Sequence, residues 1–297
     1  MELAYSYRQN ESVVAVIWLF NPNIERFSWV LRSIIGQVDK IILVDNNSSN
    51  IKQIQDVCEG LIKDKIMLLE LRFNSGVYAL NLGMKYVCDK FNPMWILLLD
   101  QDTIVYPDAV AKVLTDSNPY KDRIGALCMT YVEKSPNEKQ VRKFYPFRYG
   151  MFSGSLINAR LIKQGIKVRE DFFLDQADHD FFDRIRSHGF LTVACSGEKL
   201  IDHKLGTLIH VRLPFRGVTR VYEPAWRYYY IVRNSTVLLM EGKLDIRFYI
   251  RQLRSFAIPL IFSVGIVKFL KTLTLGLAHG LGRKLGYLDP KILERVL

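Results

Sequence analysis

The 297-residue sequence predicts an α/β protein with a Rossmann-like, mainly parallel sheet flanked by helices, followed by a helical, basic and amphipathic C-terminal extension. Three observations predict it. Continuous apolar runs rich in β-branched and aromatic residues recur through the first hundred residues, as in strands buried on both faces. Segments with helical spacing separate them, so the strands need crossover connections and run parallel. A polar cluster follows several of the runs directly, and in open α/β sheets the carboxyl-end edge is where ligands bind.

The elements follow in order. VVAVIWLF (13–20) is the first strand, and Asn21-Pro22-Asn23 breaks it. IERFSWVLRSIIGQ (24–37) places Phe27, Val30, Leu31 and Ile34 at helical spacing. IILVDNNS (41–48) is a second buried strand ending in polar residues, residues 51–63 form a helix, and KIMLLELRF (65–73) is a third strand. NSGVYALNLGMKYVCDKF (74–91) opens with a glycine turn and continues as a helix into the fourth strand, WILLLDQDT (95–103). The next part is less regular. Residues 104–118 predict a helix, IGALCMTYV (124–132) a strand, SPNEKQVRKF (135–144) a polar loop, and MFSGSLINARLIKQG (151–165) a strand or turn leading into a helix. FFLDQADHDFFDRIRSHG (172–189) starts extended and becomes helical, FLTVACSGEKLIDHKLG (190–206) holds strand-like runs, and WRYYYIVRNSTVLLMEG (226–242) reads as one helix.

Composition bounds the function. A hydrophobic share of 49% and a charged share of 24% exclude a disordered chain. The net charge of +11 calls for an anionic partner, but ten Lys and Arg against three Asp and Glu fall between Lys243 and Leu297. That excess sits in an apolar tail rather than on an aromatic-studded sheet, which argues against nucleic acid. In the tail, FAIPLIFSVGIVKFLKTLTLGLAHGLGRKLG, the apolar stretches are too short to span a bilayer. They fit either an anionic membrane surface or a helix pair closing a homodimer. Cys58, Cys88, Cys128 and Cys195 are widely spaced, as buried thiols in a reducing compartment would be. MELAYSYRQN lacks the pattern of a signal peptide, so the expected location is cytoplasmic, peripheral on the inner face of the cell membrane if the tail binds lipid.

Four polar clusters carry the chemistry. Asp100-Gln101-Asp102 puts two carboxylates at a strand end, where they repel each other unless a cation lies between them; a divalent ion is the natural one. Asp45, in Asp45-Asn46-Asn47-Ser48, can accept hydrogen bonds from a base or ribose, while Asn47 or Ser48 can equally cap the following helix. Asn74, Gly76 and Asn81 bring backbone N–H groups to a phosphate, or form an ordinary glycine turn. Asp175 to Asp180 is the fourth cluster; just beyond it, Arg184 is spaced from Asp180 for a helical ion pair, and Asp183 is expected to face solvent. Arg233, in YYYIVRN, suits a diphosphate or acceptor contact, or a surface ion pair.

VAVIWLFNPN, IILVDNNSS, FNSGVYALNLGMKY and WILLLDQDT, in that order and spacing, resemble the family-two nucleotide-sugar glycosyltransferases of GT-A fold. ILLLDQDT with SGSLINARLIKQG and FFLDQADHDFFDRIRSHGF is similar to the rhamnosyltransferase branch, and the likeness extends over residues 12 to 240. The resemblance implies a catalytic domain over residues 1–215, with a nucleotide-sugar half at about 1–103 and an acceptor half at about 104–215, and an extension over 216–297. It implies a dTDP- or UDP-sugar donor, a glycan or lipid-linked oligosaccharide acceptor and polysaccharide biosynthesis for the cell envelope. Asp102 and His203 match the family's metal positions with Asp100 beside them, and Gln101 lies between the carboxylates on the donor side. Mg²⁺ or Mn²⁺ is implied, and an imidazole ligand favours Mn²⁺. Asp178 matches the base that takes the acceptor's proton in an inverting displacement. Many relatives have Glu-Asp where this chain has Ala177-Asp178. L-Rhamnose from dTDP-rhamnose is the expected donor; galactose, galactofuranose or an N-acetylhexosamine from UDP is the alternative on the same fold. A non-catalytic lipid- or glycan-binding scaffold is the rival of another class. A nucleotidyltransferase would need a glycine- and lysine-rich phosphate loop that VVAVIWLFNPN does not supply.

Overall fold

The computed structural model describes residues 11–117, 122–129, 143–196, 199–203, 206–213 and 216–297. The N-terminal decapeptide, the end of the strand expected over 124–132 and most of the polar loop at 135–144 lie outside them. The chain divides into two compact units, Met1–Val168 with Phe181–Lys204, and Arg169–Asp180 with Leu205–Leu297.

The first unit begins β1 (Val13–Leu19), α1 (Ile24–Ile34), β2 (Lys40–Asp45), α2 (Ile51–Glu59), β3 (Ile66–Glu70), α3 (Tyr78–Lys90), β4 (Trp95–Asp100). Each crossover returns the chain to the same end of the sheet, so β3, β2, β1 and β4 pair in parallel, as expected. After β5 (Ile104–Val105) and α4 (Ala109–Ser117) come β6 (Ile124–Met129), β7 (Lys143–Pro146), β8 (Ser155–Asn158) and α5 (Ala159–Lys163). α6 (Ala177–Ser187) leads to β9 (Leu191–Ser196) and β10 (Ile201–Asp202). The main sheet runs β3-β2-β1-β4-β8-β6-β9-β7, and β8 is antiparallel to both of its neighbours. A two-residue strand, β5, stands where only a helix was expected, because Ile104 and Val105 pair with β10.

Strand β1 is buried on both faces except at Trp18. Phe27, Val30, Leu31 and Ile34 of α1 pack into the same core, and the Asn23 side chain caps that helix by accepting from Arg26 N–H. Burying each such side chain contributes about 1.5–3 kcal/mol. β1 leads to β2 and β3 on one side while β4 joins it on the other, so the sheet has a topological switch point between β1 and β4. The four cysteines form no disulfide; Cys128 and Cys195 are buried, and burial pushes the half-buried Cys58 thiol up to about 11.

In the second unit, β11 (Thr207–Leu213) and β12 (Arg216–Tyr222) form an antiparallel hairpin that the sequence did not reveal. Four helices follow: α7 (Ala225–Met240), α8 (Ile246–Val264), α9 (Ile266–Leu281) and α10 (Pro290–Val296). Tyr228, Tyr229, Tyr230 and Val232 of α7 pack with Phe256 and Leu260 of α8 and Leu293 of α10. A Cβ at Gly276 or Gly280 would come within 2.7 Å of Val232 or the Arg233 carbonyl, so these glycines let α9 lie close on α7. The compact units do not follow the expected boundary at 215/216. It would cut between two paired strands, and segment 169–180 belongs with the C-terminal unit through bonds from α7.

Candidate active site and metal centre

β4 ends at Asp100, and a turn closed by Thr103 N–H to the Asp100 carbonyl (3.3 Å) carries Gln101 and Asp102. The two carboxylates thus converge through a turn, and not by the alternation of an extended strand. Pairing of Asp202 with Ile104 places His203 beside them. Nε2 of His203 lies 3.6 Å from Asp100 Oδ2, and Nδ1 lies 3.5 Å from Asp102 Oδ1. One ligand atom from each of Asp100, Asp102 and His203 falls within 4.8 Å of the others.

Hydrogen bonds hold this trio in place. Thr103 Oγ1 is 2.7 Å from His203 Nδ1 and 2.6 Å from Ser153 Oγ, which also accepts from the Asp100 N–H at 2.8 Å. Thr103 and Ser153 are buried, so this polar chain is shielded from water. With Nδ1–H donated to Thr103, Nε2 is left as the imidazole's donor atom for a ligand. Asp102 Oδ1 is buried and makes no hydrogen bond within the described residues, despite its closeness to Nδ1. A buried carboxylate oxygen with spare lone pairs, a second carboxylate and an imidazole together fit a divalent cation. The sequence reading missed Arg26. Its Nε donates to the Asp102 carbonyl at 2.7 Å, and its Nη2 binds the Asp202 carbonyl and carboxylate at 2.9 and 2.7 Å. The arginine joins the two chain segments that carry the trio, and its hydrogen bond holds the Asp202 carboxyl below the usual carboxylate range. Only the spacing of Arg26 after a strand-ending Asn-Pro-Asn could have drawn notice to it.

Asp45 ends β2 on the same edge. It is buried, Oδ2 accepts from Ser48 N–H at 2.8 Å, and Oδ1 has no hydrogen-bond partner within the described residues. That oxygen can accept from the N–H or hydroxyl of a nucleoside. Asn46 Oδ1 accepts from both the N–H and the hydroxyl of Ser75, which orders the loop before α3. Asn74 Oδ1 accepts from Gly76 N–H, and Gly76 has φ +57°, a conformation that glycine adopts without cost. The two remaining donor-side residues bond to the fold instead. Asn81 exchanges both amide bonds with the backbone of Val168, and Gln101 does the same with Phe20, tying the end of β4 to the end of β1. Asp183 is not left to solvent, since Arg186 pairs with it at 3.0 Å.

Asp178 lies in the second unit, in the first turn of α6. It retains some exposure at the surface, but the protein packed around its carboxyl raises its pKa by desolvation, opposed by His179, whose N–H donates to Oδ1 at 2.8 Å. The approach to it is strained: Phe173, Asp175 and Gln176 all have positive φ. Arg233 is correspondingly not a ligand-facing cation. It is 1% exposed, donates to the carbonyls of Phe172 and Gly286 and stacks over Tyr230 at 4.7 Å. Asn234 Nδ2 reaches the carbonyls of Phe172, Leu174 and Asp175 at 3.1, 2.6 and 2.9 Å. Arg233 and Asn234 are therefore a buried clamp on the loop before Asp178. Asp180, fully buried, pairs with Lys243 at 2.6 Å and lies 3.9 Å from Arg169.

Comparison with known proteins adds three findings. Residues 16–173 match the family model described as glycosyl transferase family 2. The dTDP-rhamnosyl transferase RfbF of Shigella flexneri is 21% identical over 264 residues, covering 82% of this chain and 85% of that protein. Among solved structures, residues 1–349 of TarS of S. aureus in complex with UDP-GlcNAc align with a TM-score of 0.59 at 13% identity, over 96% of this chain and 84% of that one. GalNAc-T7 with UDP, GalNAc and Mn²⁺ aligns with a TM-score of 0.53 at 13% identity, over 63% of this chain and 43% of that one. At these identities the structural likeness is one of fold.

Proposed function

From the premise that the chain belongs to glycosyl transferase family 2 and is a nucleotide-sugar glycosyltransferase, we propose that it transfers L-rhamnose from dTDP-rhamnose, with inversion. The acceptor in this reading is a glycan or lipid-linked oligosaccharide of the cell envelope, met at the cytoplasmic face of the membrane. The observation that carries the chemistry is the convergence of Asp100, Asp102 and His203 at the sheet's switch point. The likeness to RfbF supports the rhamnosyl donor.

Asp100, Asp102 and His203 would hold the divalent ion, and the imidazole favours Mn²⁺ over Mg²⁺. A bound ion would act as a Lewis acid that neutralises the departing diphosphate. The Oδ1 of Asp45, which has no hydrogen-bond partner within the described residues, would accept from the nucleoside, and the loop at Asn74–Gly76, whose Ser75 and Gly76 N–H groups are already taken by Asn46 and Asn74, would border the donor without offering those donors to phosphate. Asp178 would take the proton of the acceptor hydroxyl. Its raised pKa suits a base, because a more basic carboxylate has a larger driving force for accepting a proton.

A thermal-shift screen of nucleotide sugars with Mn²⁺ tests the donor. A ligand at 100 times its Kd adds about 2.7 kcal/mol to stability, and dTDP-rhamnose should raise the melting temperature most. A larger rise with a UDP-sugar would select the alternative donor, and no response to any donor would favour the non-catalytic scaffold. Thr103→Val should weaken Mn²⁺ binding by about 10–100-fold, because His203 loses the partner that orients its ring. Electron paramagnetic resonance titration of Mn²⁺ reads this directly, and Thr103→Ser should restore binding.

A further inference from the structure

One surface of the second unit carries none of the residues assigned to glycosyl transfer. Between Ile246 and Leu288 the chain has seven Lys and Arg and no Asp or Glu. α8 and α9 place Phe256, Leu260 and Gly276 against α7, and leave outward a surface that is both apolar and cationic. At the corner between them, Phe262, Ile266, Val267 and Leu270 are 57, 52, 66 and 48% exposed. Lys268 and Lys271 stand in the same turns of α9. Further back on α8, exposed Ile246 and Ile250 are interleaved with exposed Arg247, Arg251 and Arg254.

We infer that this corner docks on an anionic lipid surface, with Phe262, Ile266, Val267 and Leu270 entering the acyl boundary and the flanking cations meeting headgroup phosphates. The setting, an acceptor carried on lipid, rests on the proposed function; the physical argument does not. No helix within the described residues is long and apolar enough to cross a membrane, so the apolar groups can enter only at the interface. Cations near an anionic leaflet are attracted to it, and α8 and α9 carry Arg247, Arg251, Arg254, Lys268 and Lys271 with no acidic residue on either helix to offset them. A second copy of the chain fits less well, because self-docking through this surface would bring like charges together.

The α8–α9 pair belongs to the unit's core, so exposed residues are better targets than a truncation. Full-length protein, the triple variant Phe262→Ser/Ile266→Ser/Val267→Ser and the double variant Lys268→Glu/Lys271→Glu would be sedimented with two kinds of vesicle. One is phosphatidylcholine alone, and the other is phosphatidylcholine and phosphatidylglycerol in equal parts. The native chain should sediment only with the anionic vesicles, less so as salt rises and shortens the screening length. Both variants should lose on the order of tenfold or more in partitioning while keeping the native circular dichroism and nucleotide binding. Equal sedimentation of native chain and variants would overturn the inference. So would dimers that the triple variant splits, without vesicle binding by either form; a second copy would then be the occupant. Vesicle binding with no nucleotide-sugar binding would leave this inference standing and sink the proposed function instead.

Discussion

Asp102→Ala is expected to lower sugar transfer by on the order of 10³-fold, since charge stabilisation at the diphosphate is worth several kcal/mol and each 1.36 kcal/mol is tenfold in rate. Three features of the site lead there. Asp102 Oδ1 is buried without a hydrogen bond within the described residues, Asp100 and His203 converge on it, and Arg26 fixes the backbone on both sides. An unpartnered buried oxygen costs stability unless a cation uses it. The alanine variant should therefore fold with undiminished thermal stability in chelator, and lose the stabilisation that Mn²⁺ gives the native chain. A variant with native turnover would exclude the trio from the reaction.

Asp178→Asn is expected to leave donor binding nearly intact and to slow transfer by about 10²-fold or more, because the amide keeps the shape but cannot take a proton. The pKa of Asp178 is raised by burial, so the acid limb of the native rate profile should lie above the ordinary carboxylate range. The sign for stability follows from linkage. A carboxyl whose folded pKa exceeds its unfolded value stabilises the fold below the unfolded pKa and loses that contribution as pH rises through the folded one. Above its folded pKa the ionised Asp178 thus carries a desolvation cost that asparagine lacks, and there the variant should melt no lower than the native chain. Asp180→Asn separates the two aspartates. Weakening its hydrogen bond to Lys243, which also pairs with Glu241, should cost about 1.5–3 kcal/mol and lower the melting temperature. An active Asp178→Asn beside a stable but inactive Asp180→Asn would move the base two residues along.

The parallel half of the fold was legible because its strands are buried on both faces and read as unbroken apolar runs. The carboxylates of Asp100 and Asp102 were legible for a related reason, since charge at the end of such a run needs a partner. What escaped was set by contacts distant in sequence. Apart from its spacing after Asn21-Pro22-Asn23, nothing local marks Arg26 as the residue that grips Asp102 and Asp202, 76 and 176 positions away. Arg233 and Asn81 look like ligand contacts in a motif, yet their donors are consumed by backbone carbonyls that only folding brings near. The β11–β12 hairpin was missed because neither strand has a long apolar run: TLIHVRL and RGVTRVY interleave charge, as strands outside a large sheet can.

The most direct measurement is calorimetric titration of dTDP and of UDP into the native chain, with Mn²⁺ and with chelator, and into Asp102→Ala under the same conditions. The account predicts that the native chain binds its nucleotide diphosphate at least tenfold more tightly with Mn²⁺ than without, roughly 1.4 kcal/mol or more, and that Asp102→Ala loses this gain. Equal native affinity with Mn²⁺ and with chelator, or a full Mn²⁺ gain retained in Asp102→Ala, would contradict it.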